Sequence, residues 1–317
     1  MTTLKVTPEQ EKSVKALGFL RNRGTDNFSA RIITVNGKIT AAQQRCLAEA
    51  AEKFGNGDIL FTTRLTIEIP GIPYNKIEEF RAYIAKEGLE TGGTGSKVRP
   101  VVSCKASTCQ YGLIDAYDLS EKIHEKFYKG YENVRLPHKF KIGVGGCPNN
   151  CIKPDLNDLG VIGQMVPIFD EELCYGCKKC AVVDVCPIGA VKVVDGVLNI
   201  DKGICNDCGR CIGKCHFDAI EDGKPGYKIA IGGRWGKRAN IGKAINKIFA
   251  DENEVMSVIE KMLLIYREQG ITGERLSDTI ERIGFENIEA QLLSDEILER
   301  KQEILDAKLH LTGGATC

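Results

Sequence analysis

The chain has 317 residues, and its 43 Lys and Arg balance 43 Asp and Glu, so the net charge is zero. A neutral chain gives no electrostatic case for nucleic acid or a membrane surface, and its apolar runs are too short to span a bilayer. The length suits two domains, or one domain with an insertion, and the amino-terminal stretch lacks an apolar signal core, so the expected compartment is the cytoplasm.

Residues 28–36, "FSARIITVN", read as a strand. "TAAQQRCLAEAAEKFG" follows as a helix, with Thr40 as N-cap and Gly55 as stop. "DILFTTRLTIEIPG" alternates and is β-branched, which predicts one further strand. "YNKIEEFRAYIAKEG" is an amphipathic helix closed by Gly88 and followed by a glycine-rich loop, "TGGTGS". A second unit starts at "VRPVVSC" and continues through a helix over about 111–129, a strand around Lys139–Val144 and another in "DLGVIGQMVP". Near Phe169 the composition turns cysteine-rich and near Gly223 it turns back, after which "YKIAIGGRWG" reads as the strand that resumes the interrupted domain. Charged amphipathic helices close the chain from about Asp251. The fold class is α+β with a small module inserted at 168–222.

Fourteen cysteines stand out. Twelve fall into local groups, which points to metal binding rather than to a secreted disulfide framework. Cys46 sits in the first helix as a core thiol, and Cys317 belongs to a frayed end. "CYGCKKCAVVDVCP" and "CNDCGRCIGKCH" are two copies of one pattern. In two-cluster ferredoxins the fourth cysteine of each run ligates the other cluster. That rule assigns Cys174, Cys177, Cys180 and Cys215 to one [4Fe–4S] cluster and Cys186, Cys205, Cys208 and Cys211 to a second. Structural zinc is the competing reading. The module resembles a ferredoxin domain over about 55 residues, with His216 in place of the usual proline.

Cys104/Cys109 and Cys147/Cys151 form C-x4-C and C-x3-C pairs, which suit either a third [4Fe–4S] cluster or a four-thiolate zinc site. Arg31, Arg64, Arg99, Lys139 and Lys141 lie on or beside the expected strands, and the two lysines share a strand face. A solvated face is the commoner reason for such a pair, but it fits poorly beside the apolar "IGVGG".

In "NFSARIITVNGKIT", "ILFTTRLTIEIPGI", "RPVVSC", "LPHKFKIGVGGCPNNC" and "GVIGQ" the chain resembles the siroheme-dependent sulfite and nitrite reductases, over most of its length. The inserted ferredoxin fits the branch of the anaerobic sulfite reductase C subunits. The resemblance implies siroheme and three [4Fe–4S] clusters. Its domains would be a ferredoxin-like half-domain at 1–95, a siroheme and cluster domain at 96–167 plus 223–270, the ferredoxin at 168–222 and a helical tail at 271–317. Cys104, Cys109, Cys147 and Cys151 would hold the siroheme-coupled cluster, Cys151 also serving as the axial siroheme ligand. Arg31, Arg99, Lys139 and Lys141 would face the substrate. Arg64, Asn149, Arg234, Lys237 and Arg238 would contact siroheme or its surroundings. The first cysteine pair departs from many relatives by one residue of spacing.

The implied reaction is six-electron reduction of sulfite to sulfide, with nitrite reduction as the neighbouring chemistry. An electron carrier with three clusters and no siroheme, or a non-catalytic siroheme subunit, are the other classes. No G-x-G-x-x-G followed by a suitable acidic residue is present. Electrons are therefore expected from partner subunits of iron–sulfur and flavin/NADH type. A homodimer sharing the siroheme site is the favoured assembly; a monomer that folds its own cations over its own siroheme, or a partner subunit that completes the pocket, are the alternatives.

Overall fold

The computed structural model describes residues 6–311, so Cys317 lies outside the described residues. The first unit runs α1 (Pro8–Ala16), β1 (Phe19–Arg21), β2 (Asn27–Ile32), α2 (Ala41–Phe54), β3 (Leu60–Phe61), β4 (Ile67–Pro73) and α3 (Ile77–Ile84). Its sheet is antiparallel in the order β1-β2-β4-β3. α2 starts where expected because Thr40 and Gln43 exchange side-chain-to-backbone hydrogen bonds of 2.9 and 3.1 Å, satisfying two orphan amides of the first turn. The buried faces of α2 and α3 lay Leu47, Phe54 and Phe80 over Phe19, Phe28 and Ile69. Phe80 is fully enclosed, so Phe80→Ala would cost about 3–5 kcal/mol.

One expectation here is corrected. Residues 58–71 are a hairpin rather than a single strand, with β3 folding back on β4. The turn is held by the Thr62 and Thr66 hydroxyls, 2.7 Å apart, and by Leu65 in the left-handed region at φ 58°. Arg64 therefore stands at a hairpin tip and not along a strand.

The second unit continues with β5 (Val102–Ser103), α4 (Ala116–Ile123), β6 (Ile142–Gly145) and β7 (Leu159–Pro167). The helix expected from 111 begins at Ala116 because Asp115 caps it, accepting from the Asp118 amide at 3.0 Å. It runs on into a π-helical segment, His124–Lys129. The cysteine-rich segment contains α5 (Ala181–Val185) and a hairpin of β8 (Val191–Val194) and β9 (Val197–Ile200). The host then resumes with β10 (Gly223–Ile231), β11 (Lys243–Phe249), α6 (Glu252–Gln269), α7 (Leu276–Ile283), α8 (Phe285–Leu293), α9 (Glu296–Glu299) and α10 (Lys301–Asp306).

The second sheet has the order β11-β10-β7-β6-β5. β5, β6 and β7 are parallel, whereas β10 and β11 are antiparallel to their neighbours. Gly223 pairs directly with Pro167, so the cysteine-rich segment leaves and rejoins the sheet at one cross-strand pair. β11 is a strand that the sequence reading lacked. The carboxy-terminal helices are not a tail: Leu276, Ile280, Ile288, Leu292, Ile297 and Ile304 belong to the same core as Phe140, Ile142, Val161 and Tyr266. Among the described residues, no helix is long and apolar enough to cross a membrane.

Candidate active site

Parallel pairing of β5 with β6 fixes the geometry of the site. Arg99 precedes β5 and Cys104 directly follows it; Lys139 and Lys141 precede β6 and Cys147 follows it. A bridge between Val98 and Phe140 carries the parallel register back to the basic residues. The cations thus gather at the amino-terminal end of the strands and the thiols at the carboxy-terminal end.

At the first end is a cavity of about 390 Å³ lined by Arg31, Arg64, Arg99, Lys139 and Lys141, with Lys15, Thr62, Thr63 and Thr94. None of the four host cysteines lines it. Arg31 and Arg99 both donate to the Gly93 carbonyl, in the glycine-rich loop between the two sheets. Arg31 also binds Glu68 on the adjacent strand at 2.7 and 2.9 Å, a partner the sequence reading missed because it depends on the β2–β4 register. The Arg64 guanidinium reaches the second unit, donating to Asn157 Oδ1 and to the Pro100 carbonyl, each at 2.8 Å, while its Nε has no partner.

Burial, and then the crowding of like charge, lowers the ionisation of Arg64, Arg99, Lys139 and Lys141. Burial lowers the Arg64 and Arg99 guanidinium groups to about 10, with neighbouring guanidinium groups contributing. Lys141 is lowered to about 8, first by burial and then by Arg64, Lys139 and Arg275. Lys139 is lowered by burial, Arg275 and Arg99. A lysine near 8 remains largely protonated at neutral pH and gives up its proton readily.

The Lys141 backbone is fixed by a buried ion pair that the sequence reading also missed. Its amide donates to Asp158 Oδ2 at 2.9 Å, and Arg275 Nη2 reaches both Asp158 oxygens at 2.8 and 2.9 Å. Burial pushes the Asp158 carboxyl up, and Arg275 pulls it back. Arg234 and Arg238 turn instead to α7, pairing with Asp278 at 3.0 and 3.3 Å, and Arg238 also with Glu281 at 2.8 Å. Lys237 is exposed on the same loop and has no ion pair among the described residues.

At the other end, the loops after β5 and β6 bring Cys104, Cys109, Cys147 and Cys151 together. Gly146 makes this approach possible: a Cβ there would sit 1.8 Å from Ala106 Cβ. The Gly146 amide donates to Cys104 Sγ at 3.2 Å. Burial pushes the Cys147 thiol up, an amide from Asn149 opposes this, and the neighbouring Cys104, Cys151 and Cys109 push it up again. Cys151 and Asn149 are exposed, whereas the other three cysteines are partly buried.

Within the module, Cys211 is pushed up to about 11, first by burial and then by Cys205, Cys208 and Cys186, so these four thiols are neighbours. Cys174, Cys180 and Cys215 pack on a small core of Val182, Val191, Leu198 and Ile220, and the Leu198 amide donates to Cys174 Sγ at 3.4 Å. Among the described residues, no three His, Cys, Asp or Glu side chains converge on an ion-sized point. The ligand sets are sulfur-only, with amides turned onto Cys104 and Cys174, a donor chemistry that suits an iron–sulfur cluster.

Comparison with known proteins agrees with this architecture. The family described as "Nitrite and sulphite reductase 4Fe-4S domain" matches residues 94–301, and "Nitrite/Sulfite reductase ferredoxin-like half domain" matches residues 21–87. An uncharacterized protein of Methanocaldococcus jannaschii is 33% identical over 83% of this chain and 90% of its own length. The coenzyme F420-dependent sulfite reductase of the same organism is 31% identical over 75% of this chain, which spans only 38% of that protein. The C subunit of the anaerobic sulfite reductase of Salmonella typhimurium is 30% identical over 50% of this chain and 49% of its own length. A crystal structure of dissimilatory sulfite reductase I shares the fold, with a TM-score of 0.67 at 24% identity, covering 84% of this chain and 69% of the other. The chain belongs to the nitrite and sulfite reductase family.

Proposed function

We propose that the chain is the catalytic subunit of a sulfite reductase, an oxidoreductase that reduces sulfite to sulfide at a siroheme–[4Fe–4S] centre fed by the inserted ferredoxin clusters. The names of its relatives favour sulfite over nitrite. The observation that carries the reading is the basic cavity: six cations, three of them lysines, line one space of about 390 Å³. When bound, siroheme coupled to the cluster of Cys104, Cys109, Cys147 and Cys151 supplies the electron-rich iron. Cys151, the exposed thiol of the set, would help to hold it. Asn149, Lys237, Arg234, Arg238 and Arg64 would lie around its carboxylates.

The reaction adds six electrons and six protons to hydrogen sulfite, releasing hydrogen sulfide ion and three waters. This chain's part is to hold the anion and deliver protons. One cation at 4 Å is worth about 4 kcal/mol at an effective dielectric of 20, so several offset the desolvation of the anion. Arg31 and Arg99, converging on the Gly93 carbonyl, anchor the anion. Lys139 and Lys141 donate protons, and Asp158 and Arg275 position Lys141 by holding its backbone.

The thiolates that would hold the centre and the lysines that would protonate its substrate must both reach it. Here a parallel strand pair stands between them. We therefore place the centre between two copies of the chain, one giving thiolates and the other cations. The exposed Phe61, beside the Arg64 hairpin tip, and Trp235, on the loop beside Asn157, would then be covered. Electrons would come from iron–sulfur or flavin partner subunits. An anaerobic preparation tests the reading: it should show siroheme absorption and release sulfide from sulfite with reduced methyl viologen. Clusters without siroheme, or siroheme without sulfide release, would contradict it.

A further inference from the structure

The module meets its surroundings asymmetrically. The second cysteine run is stitched to the host: the Met165 amide donates to the Asp207 carbonyl at 2.7 Å, and Met165 bridges to Cys208. Gly209, at φ 68°, lets the loop close on this strand, since a Cβ there would lie 2.8 Å from Met165 Cβ. Ile212 likewise packs on Gly223 of β10. Two residues back along β7, about 7 Å, Gly163 lets the strand approach the loop beside Cys147, since a Cβ there would lie 2.6 Å from the Gly146 carbonyl oxygen. The end of β7 therefore links the loop of Cys208 to the loop of Cys147.

The first run faces away. Tyr175 follows Cys174, and Phe217 lies two residues after Cys215. Their rings sit 4.5 Å apart between centroids while remaining 74% and 44% exposed. Two exposed aromatic rings paired over one ligand set form a local apolar patch of the kind that marks an interface. The residues between and beside these ligands are Lys178, Lys179 and Lys214, all exposed and without an ion pair among the described residues. Glu171, Glu172, Asp184, Asp195 and Asp218 are also exposed around them, Asp195 on the turn that packs against Gly176. Within 174–180 and 211–217 the three lysines are the charged side chains.

Resting on the reading that the module holds two clusters, we propose a fixed direction for the relay. A small one-electron iron–sulfur protein with an acidic rim docks on Tyr175 and Phe217. It gives its electron to the set of Cys174, Cys177, Cys180 and Cys215, from which the electron passes to the set of Cys186, Cys205, Cys208 and Cys211. The end of β7 then leads it toward the cluster that the host thiolates would hold. In each docking event one donor cluster is oxidised by one electron and one acceptor cluster is reduced by one. Six such events supply one sulfite. The lysines steer the encounter, so its rate falls with ionic strength.

The test uses the full-length holoprotein, with iron and labile sulfide measured first. A dithionite-reduced acidic two-cluster ferredoxin serves as donor, and reduction of the module's clusters is followed by stopped flow. Tyr175→Ser/Phe217→Ser and Lys178→Glu/Lys179→Glu should each slow reduction about tenfold, with reduction by methyl viologen unchanged. Ile188→Ser/Ile204→Ser is the counterpart, because these exposed residues flank the second ligand set; it should leave the ferredoxin rate unchanged. Slowing confined to the isoleucine variant, or unaltered rates in the aromatic and lysine variants, would overturn the proposed direction while leaving the cluster reading intact. A module without iron and sulfide would overturn both.

Discussion

Lys141 and Cys147 bracket the strand β6, one before its first residue and the other two positions after its last. The four residues of the strand between them cover roughly 13 Å. The proton donors and the electron-carrying thiolates of the proposed reaction thus lie at opposite ends of a single strand.

Lys141→Met is expected to retain the cofactors and lose about 10²–10⁴ in turnover, the usual effect of removing a positioned proton donor. The ultraviolet–visible spectrum and steady-state sulfide release check this. Wild-type turnover and sulfite affinity in the variant would return Lys141 to an ordinary solvated lysine.

The lowered pKa of Lys141, about 8, has a definite sign. The protonated form is the donor, so kcat/KM for sulfite should fall as pH rises through about 8 and be level below it. Lys141→Arg should remove that limb along with much of the activity, because a guanidinium does not release its proton in this range. A profile that stays flat to pH 9.5 in the wild type contradicts the assignment.

Asp158 is fully buried and holds both Arg275 and the Lys141 amide. Breaking a buried pair leaves an uncompensated charge, so Asp158→Asn should cost roughly 3–5 kcal/mol of stability. Urea unfolding, read by circular dichroism, measures this; a loss below about 1 kcal/mol would mean the pair does not hold the end of β6.

Because Pro167 and Gly223 are cross-strand partners, a short Gly/Ser linker in place of residues 170–222 can close the β7–β10 hairpin. The shortened protein should release sulfide with reduced methyl viologen and lose turnover with a protein donor. Undiminished turnover with the protein donor would show that the module is not the wire.

Much of this arrangement is legible in the sequence, for identifiable reasons. The Thr40 capping box, the left-handed Gly88 at φ 69° and the abrupt change to cysteine mark boundaries through local chemistry. The hairpin at 58–71 is hidden because its turn, "TTRLT", contains neither Gly nor Pro and uses Leu65 at positive φ. β11, "KAINKIF", reads poorly as a strand because lysines and an asparagine occupy its exposed positions. Glu68 opposite Arg31, and Asp158 with Arg275 from 117 residues away, are products of register and packing that no local pattern carries. The carboxy-terminal helices look like a tail because each is short; only assembly shows their apolar stripes entering the main core.

The shared centre is tested most directly by complementation. Cys151→Ala and Lys139→Ala/Lys141→Ala chains, each inactive alone, would be co-expressed with different tags, and the doubly tagged heterodimer isolated. A centre that takes thiolates from one copy and cations from the other is wild type once in each heterodimer, so about half the activity per dimer should return. A purified heterodimer that stays inactive, or an active enzyme that is monomeric in solution, would contradict the shared centre.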